Sequence, residues 1–280
     1  MRDLILFIIL FTSILGCTPT SEKSETPSVT QVKLVTTKGE IVLKLYNETP
    51  QHRDNFIKIV SEGVLDSLLF HRVINSFMIQ GGDIDSKYAD ALDTLGNGDL
   101  GYTVPAEISP NLFHKKGALG AARSDSPDRV SSSTQFYIVQ GKVLNDSLLD
   151  IAEGRINTWL AHHWVRKDTA YSEQLDSLVA AIEVEDWEEY SRINSNFREL
   201  AKDYENFDKY SIPTGHREVY KTIGGTPHLD QNYTVFGEVV SGLEVVDSIA
   251  AVATNDLDRP IEDVRILSVM ILEDDTGSNN

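Results

Sequence analysis

Short runs in which apolar and polar residues alternate make up most of the chain beyond residue 30. Residues 32–36 and 40–46 alternate on either side of Lys38 and Gly39, which predicts a β-hairpin with one buried face. Further short apolar runs lie at residues 68–74, 77–80, 117–122, 135–139, 234–240 and 264–272. Many short strands without a regular alternation of strand and helix indicate an antiparallel barrel or sandwich.

Two helices interrupt these strands. The first begins at Thr49 and Pro50, a capping residue and a proline at the first helical position, and ends at Gly63. The second covers residues 243–251. The pattern therefore predicts a mainly β fold with two helices.

Residues 142–222 follow a different pattern, with helix-period runs at 151–165 and 174–190 and many charges between them. All three tryptophans of the protein lie in this segment: Trp159, Trp164 and Trp187. We interpret it as an inserted α-helical subdomain with a tryptophan core of its own and with residues 212–215 as its exit loop. Docking of a partner protein is an alternative role.

The N-terminus carries an apolar run at residues 4–15, which is too short to span a membrane and is typical of a signal peptide. Residues 14–17, Ile-Leu-Gly-Cys, resemble a bacterial lipobox, whose cysteine is lipidated and becomes the mature N-terminus. Cys17 is the only cysteine and cannot form an intrachain disulfide, which favours lipidation over secretory cleavage beside an incidental cysteine. We therefore predict a signal peptide over residues 1–16.

Residues 17–30 hold Ser, Thr, Pro and Glu with almost nothing apolar to bury, which predicts a disordered tether from the lipidated Cys17. Fully extended, such a tether reaches roughly 40–45 Å. Residues 274–280 are predicted to form a disordered tail. The lipobox implies extracytoplasmic anchoring to a bacterial membrane, in the periplasm or at the cell surface, by more than one acyl chain.

The formal net charge of −18 argues against nucleic-acid binding, because phosphate backbones are met by clusters of Lys and Arg. The acidic balance mainly indicates solubility. The adjacent His162 and His163 diverge on a helix and lack an evident third ligand, so no metal site is predicted.

An arginine, several large apolar side chains and a glutamine come together in residues 70–83, FHRVINSFMIQGGD. Arg72 is always charged and offers five fixed donors. Taken alone, it fits a surface arginine whose stem covers a barrel rim. Beside Phe77 and Met78, it indicates a site for a mostly apolar ligand.

Five motifs follow one another along the chain: FHRV (70–73), FMIQGGD (77–83), GALGAAR (117–123), QFYI (135–138) and VFG (235–237). Together they resemble the cyclophilin family of peptidyl-prolyl cis-trans isomerases. The resemblance covers residues 31–141 and 223–273, about the size of one domain. It implies a closed antiparallel cyclophilin-like β-barrel of about eight strands with two capping helices, and it leaves the segment 142–222 outside.

The resemblance implies a chemistry that breaks no bond. An X-Pro peptide bond rotates over a barrier of roughly 18–20 kcal/mol, and the uncatalysed exchange takes tens to hundreds of seconds. Twisting the bond returns the lone pair to the proline nitrogen, so a donor in a dry site stabilises the twisted state. By position, Arg72 matches this donor and Gln80 the side chain that steers it.

The resemblance also implies the residues that bind substrate. They are Phe77, Met78, Tyr137 and Leu229 in a proline pocket, and Ala122, Arg123 and Gln135 along the peptide backbone. Tyr233 stands where other cyclophilins often carry His or Tyr, and His228 replaces a frequent Trp. The implied partners are proline-containing unfolded or loop segments of client proteins, and no cofactor or metal is implied.

Two questions stay open at this point. A two-residue turn at Asn75 and Ser76 would set Arg72 opposite Ile79 and place Arg72 and Gln80 on opposite faces, so a register offset or bulge is required. The protein also fits a second function, a membrane-tethered holdase that binds peptides and has weak or vestigial isomerase activity. The large helical segment and the altered position 228 favour that alternative.

Overall fold

The computed structural model describes residues 30–272. The predicted signal peptide, the lipid on Cys17, the tether before Thr30 and the tail at 274–280 lie outside these residues. Thr30, predicted as the last residue of the tether, accepts a backbone hydrogen bond from Leu45 at 2.9 Å. Thr30 therefore already belongs to the folded body.

Short strands and helices follow one another along this part of the chain. The strands are β1 (Gln31–Thr36), β2 (Gly39–Leu45), β3 (Arg72–Ile74), β4 (Met78–Gly81), β5 (Thr103–Val104), β6 (Ala118–Ala121), β7 (Ser131–Ser132), β8 (Phe136–Val139), β9 (Val235–Ser241) and β10 (Ile266–Leu272). The α-helices are α1 (Pro50–Ser61), α2 (Asp146–Lys167), α3 (Ser172–Glu183), α4 (Trp187–Lys202), α5 (Thr214–Thr222) and α6 (Leu243–Ala250). Between residues 30 and 272, none of the helices combines the length and the apolar character needed to cross a membrane.

Eight strands form one antiparallel sheet in the order β10-β1-β2-β9-β6-β8-β4-β3. The strands β10 and β3 are the two edges of this sheet. The structure therefore supports an open half-barrel, and the closed barrel stays a prediction. The chain before β3 bridges part of this gap. Phe70 donates a backbone hydrogen bond to Val264, and Ile266 donates one to Leu68.

The core of the half-barrel lies between the sheet and the helices α1 and α6. The strands β1 and β2 bury every second residue, as the alternating sequence pattern predicts. Phe56 and Ile59 of α1 join the same apolar cluster as Val246 and Ile249 of α6. The two helices predicted for this region are present at the expected positions.

Helices α2 to α5 occupy the segment predicted to be helical. Asn145 and Asp186 cap α2 and α4, because each side chain accepts a hydrogen bond from the backbone N–H three residues later, at 2.9 and 3.0 Å. That this segment is a separate inserted subdomain stays a prediction.

Two details predicted for the helical segment are wrong. Residues 174–190 do not form one helix, because the chain breaks between α3 and α4 and Glu185 adopts a left-handed φ of +57°. Residues 212–215 are not only an exit loop, since α5 begins at Thr214. The residue types around Glu185 and Thr214 are compatible with a helix. Packing against the rest of the protein, rather than the local sequence, determines where each helix ends or begins.

The predicted tryptophan core is also wrong. Trp159, Trp164 and Trp187 are 46%, 44% and 58% exposed. Helix α2 instead buries a stripe of residues three and four positions apart, Trp159 and Trp164 lie outside that stripe, and Trp187 begins α4. The stripe contains Leu149, Ala152, Ile156, Leu160 and His163.

The helices contact the half-barrel at the loop of residues 123–129. The carboxylate of Asp125 accepts hydrogen bonds from Arg166 of α2 at 3.2 Å, and from Tyr190 and Asn194 of α4 at 3.1 and 3.0 Å. Three donors from two helices therefore hold this loop in place.

Candidate active site

The hairpin of β3 and β4 carries the predicted catalytic pair. Its turn has three residues, Asn75, Ser76 and Phe77, and Ser76 is left-handed with a φ of +62°. A three-residue turn with one left-handed residue is a common hairpin geometry. It pairs Arg72 directly with Gln80, so both side chains leave the same side of the sheet. The register offset that the sequence required is confirmed.

A cavity of about 400 Å³ opens on this side of the sheet. Nine of the predicted residues line it: Arg72, Phe77, Met78, Gln80, Ala122, Arg123, Tyr137, Leu229 and Tyr233. Met78 and Tyr137 are buried, and Phe77 and Leu229 pack partly buried against them. The structure thus brings together the residues of the predicted proline pocket beside the guanidinium.

Two predicted residues, His228 and Gln135, lie outside the lining of this cavity. The His228 ring stacks on Phe77 with 5.5 Å between ring centroids, and it lines a neighbouring cavity instead. Burial lowers the pKa of His228 to about 4, so its imidazole is neutral at pH 7. Gln135 contacts Gln80. The Nε2 of Gln80 donates a hydrogen bond to the Oε1 of Gln135 at 3.1 Å.

Arg72 contacts a residue that the sequence did not indicate. Its Nε lies 3.4 Å from the Oδ2 of Asp258, and both side chains are close to half exposed. The loop that carries Asp258 is joined to β3, because the Val73 N–H donates to the Asp258 carbonyl at 2.8 Å. The side-chain amide of Gln80 bonds to Gln135 rather than to Arg72. That Gln80 steers Arg72 therefore stays a prediction.

A second unpredicted element is the loop at residues 95–97, which also lines the cavity. The Nε2 of Gln135 donates to the carbonyls of Gly96 and Gly98, each at 3.0 Å, and so fixes the position of the loop. A Cβ atom at Gly98 would lie 2.1 Å from the Asp83 carboxylate, so only glycine fits there. The sequence Gly-Asn-Gly at residues 96–98 is typical of a loop and does not indicate that the loop faces the site.

Comparison with known proteins decides the family. The model of the family described as cyclophilin type peptidyl-prolyl cis-trans isomerase/CLD matches residues 31–163 and 213–271, most of the chain. The chain belongs to the cyclophilin family. This places it in the enzyme class of the peptidyl-prolyl cis-trans isomerases.

Similar proteins agree with this assignment. A Staphylococcus aureus (strain USA300) protein named "Putative peptidyl-prolyl cis-trans isomerase" is 29% identical over 247 residues, which is 87% of this chain and 93% of that protein. A Staphylococcus haemolyticus protein of the same name is 27% identical and covers 85% and 89%. The crystal structure of a Cryptosporidium parvum cyclophilin type isomerase has a TM-score of 0.53 at 16% identity, covering 88% of this chain and 99% of that one.

The floor of the cavity in this cyclophilin is a buried hydrogen-bond network. The hydroxyl of Tyr137 lies 2.8 Å from His114 Nε2, and His114 Nδ1 lies 2.8 Å from the Asp230 carboxylate. The other Asp230 oxygen accepts a hydrogen bond from Tyr220 of α5 at 2.7 Å. Burial raises the pKa of Tyr137 well above its usual value, so its hydroxyl stays neutral. The network fixes the aromatic wall of the pocket.

His71 also lines the cavity beside Arg72. It is 4% exposed, and burial lowers its pKa to about 4. A neutral imidazole adds no second charge next to the guanidinium. Within residues 30–272, no group of three or more His, Cys, Asp or Glu side chains is placed to hold a metal ion.

Proposed function

We propose that this cyclophilin accelerates rotation about X-Pro bonds, with Arg72 donating to the proline nitrogen of the twisted amide. Phe77, Met78, Tyr137 and Leu229 would hold the proline ring. The observation that carries the proposal is the hairpin register that sets Arg72 opposite Gln80, at the edge of a cavity that Phe77, Met78 and Leu229 also line.

The mechanism follows from where charge develops. The planar amide has no available lone pair on nitrogen, whereas the twisted amide does, so a fixed donor stabilises the twisted state more than the planar one. The apolar walls exclude water, which strengthens that interaction. Rotation breaks no bond and requires no proton transfer, so the mechanism needs no general acid or base.

The test is the substitution Arg72→Ala in a protease-coupled assay with a proline tetrapeptide. Loss of one preorganised donor should lower kcat/KM roughly 100-fold or more. Arg192→Ala is a matched control, because Arg192 lies on α4 and pairs with Glu189, away from the cavity. Circular dichroism should show both variants folded, and near-normal activity of Arg72→Ala would refute the mechanism.

We further propose that Cys17 is lipidated and that the enzyme acts outside the cytoplasm on exposed proline segments of unfolded clients. The lipobox at residues 14–17 supports this. Metabolic labelling with a fatty acid should mark the wild-type protein and leave Cys17→Ser unlabelled. Equal labelling of both proteins would rule out a lipid on this cysteine.

A holdase is the second candidate function, because the helical segment exposes apolar side chains close to the site. Ile151 is 56% exposed and Leu148 is 39% exposed, and both line the cavity next to His228. If the protein is a holdase, the double variant Leu148→Asp and Ile151→Asp should lose protection against client aggregation and keep its isomerase rate on short peptides. If the double variant protects clients from aggregation as well as the wild type does, this surface does not bind clients.

A further inference from the structure

A second cavity of about 350 Å³ adjoins the proposed proline site. It lies between the helices α2 and α4 and the loop 123–129, and two of its lining residues, Arg123 and Tyr233, also line the first cavity. A peptide held at the proline site therefore has a second pocket next to it, formed largely by the helical segment.

Positive charge dominates this second cavity. Among the described residues that line it, four are arginines and one is a carboxylate, although the whole chain has a net charge of −18. The arginines are Arg123, Arg129, Arg166 and Arg198, and the carboxylate is Asp125. Asp125 lies within 4.0 Å of both Arg166 and Arg198, but a single carboxylate cannot balance four guanidinium groups, so a net positive charge remains in the cavity.

Several buried donors of this cavity lack a hydrogen-bond partner within residues 30–272. Arg166 is 3% exposed, and its Nε and Nη1 are both unpaired. The Nε of Arg129 is also buried without a partner. Unpaired buried donors are costly and indicate a site that an acceptor completes.

These arginines stay charged at neutral pH. Burial and, to a smaller extent, repulsion by the charges of Arg123 and Arg166 lower the pKa of Arg129 to about 10, which is still well above 7. Burial lowers the pKa values of His162 and His163 to about 4 and 3, so the two histidines are neutral. The cavity therefore attracts anions through its arginines alone.

One wall of the cavity is apolar. Trp159 of α2 lines it beside Thr158 and is 46% exposed. A ligand that suits both surfaces has a short apolar stem and an anionic end, as glutamate and aspartate side chains do. Arginine binds carboxylates in a planar, bidentate manner, which adds geometric selectivity.

We propose that this second cavity binds an acidic side chain of the substrate near the proline, so that the enzyme prefers acidic X-Pro segments. The inference rests on the proposed isomerase function, because it assigns a neighbouring subsite to the same substrate. The proposed substrate class is acidic proline segments, which membership of the cyclophilin family does not specify.

The test uses the full-length protein and matched proline peptides with Glu, Gln or Lys at each position on either side of the proline. At the best position, Glu should raise kcat/KM about two- to fivefold over Gln, and Lys should lower it. Added salt should reduce the difference, because exposed charges are screened. Equal rates for Glu, Gln and Lys at every position would overturn the subsite and leave the isomerase function standing.

A pair of arginines on one helix supplies the matched control. Arg198 lines the cavity and Arg192 does not, and both side chains are 66% exposed on α4. Arg198→Gln should lower the preference for Glu, and Arg192→Gln should keep it, although both change the net charge equally. Equal effects of the two variants would assign the preference to overall charge and overturn the subsite.

Direct binding separates the subsite from catalysis. Intrinsic fluorescence of Trp159 should change on adding the Glu peptide, and Trp159→Phe should lose this change while Trp187→Phe keeps it. If no peptide is isomerised, the proposed function fails, and a tighter dissociation constant for the Glu peptide than for the Lys peptide would still support the subsite. Equal dissociation constants would refute it.

Discussion

At the scale of single residues, the site depends on how a few polar groups are held. The side chain of Arg72 is 43% exposed, so the position of its guanidinium depends on the contact with Asp258 at 3.4 Å. A flexible side chain loses conformational entropy when it is fixed, and a partner that fixes it in advance reduces that loss at the moment of binding. Asp258 is therefore a positioning residue.

The substitution Asp258→Asn should keep the backbone, because Asp258 has a φ of +62° and asparagine tolerates the left-handed region. Without the ion pair we expect kcat/KM to fall about two- to fivefold, as for an exposed pair. Asp263→Asn is the control, since Asp263 is similarly exposed and pairs with Arg259 and Arg265 instead. Equal losses in both variants would contradict a positioning role.

Tyr137 tests the buried network beneath the pocket. Tyr137→Phe keeps the aromatic wall and leaves His114 without its hydroxyl partner, so the free energy of unfolding should fall by about 1–3 kcal/mol with activity close to wild type. Urea denaturation and a peptide assay measure the two effects. Tyr102→Phe is the control, because its more accessible hydroxyl bonds to Asn55 and should cost at most about 0.5 kcal/mol.

At the scale of elements, the β3–β4 hairpin decides whether Arg72 and Gln80 share a face. The side chains of a strand alternate in direction, so a shift of one residue would separate the pair. The three-residue turn with its left-handed Ser76 prevents that shift. The chemistry of the site therefore depends on the length of one turn.

The residue at position 76 should accordingly be sensitive to backbone preference. Ser76→Gly should be tolerated, because glycine adopts a positive φ readily, whereas Ser76→Val should lower the free energy of unfolding by about 1–2 kcal/mol. Thermal denaturation of the two variants gives the comparison. Equal stability of the valine and glycine variants would show that Ser76 is not left-handed in solution.

At the scale of the whole molecule, the helical segment contacts the half-barrel beside and beneath the site. Tyr220 of α5 bonds to Asp230 beneath the pocket, and Arg166 of α2 bonds to Asp125 at its side. His162, His163 and His228 are enclosed where these parts meet, and His71 is buried in the half-barrel beside Arg72. Burial lowers the pKa values of His71, His162 and His228 to about 4 and that of His163 to about 3.

Stability should therefore fall on acidification. A histidine with a lowered folded pKa takes up its proton in the unfolded state first, so unfolding becomes easier as the pH drops from about 6.5 towards 4. By pH 4 the contribution of His71 reaches at most about 3 kcal/mol. Urea titrations between pH 7.5 and 4.5 measure the slope, which should be smaller in His71→Phe. Identical slopes would show that His71 is not the source.

The sequence was sufficient for much of the fold. Alternation of apolar residues located the strands of the half-barrel, and Thr49 and Pro50 marked the start of α1. The ordered motifs led to the family and to nine residues that do line one cavity. Helix α5 and the break at Glu185 were missed, because neighbouring residue types tolerate more than one local conformation and packing selects between them.

By itself, the sequence determined most of the strands and helices and which residue types belong to the site, because both follow from local pattern and ordered motifs. Only the tertiary structure decided the register of Arg72 against Gln80, the contact of Arg72 with Asp258 and the gathering of Arg123, Arg129, Arg166 and Arg198 around one cavity. These contacts join residues far apart in the chain or depend on the length of a turn, and the path of the folded backbone sets both.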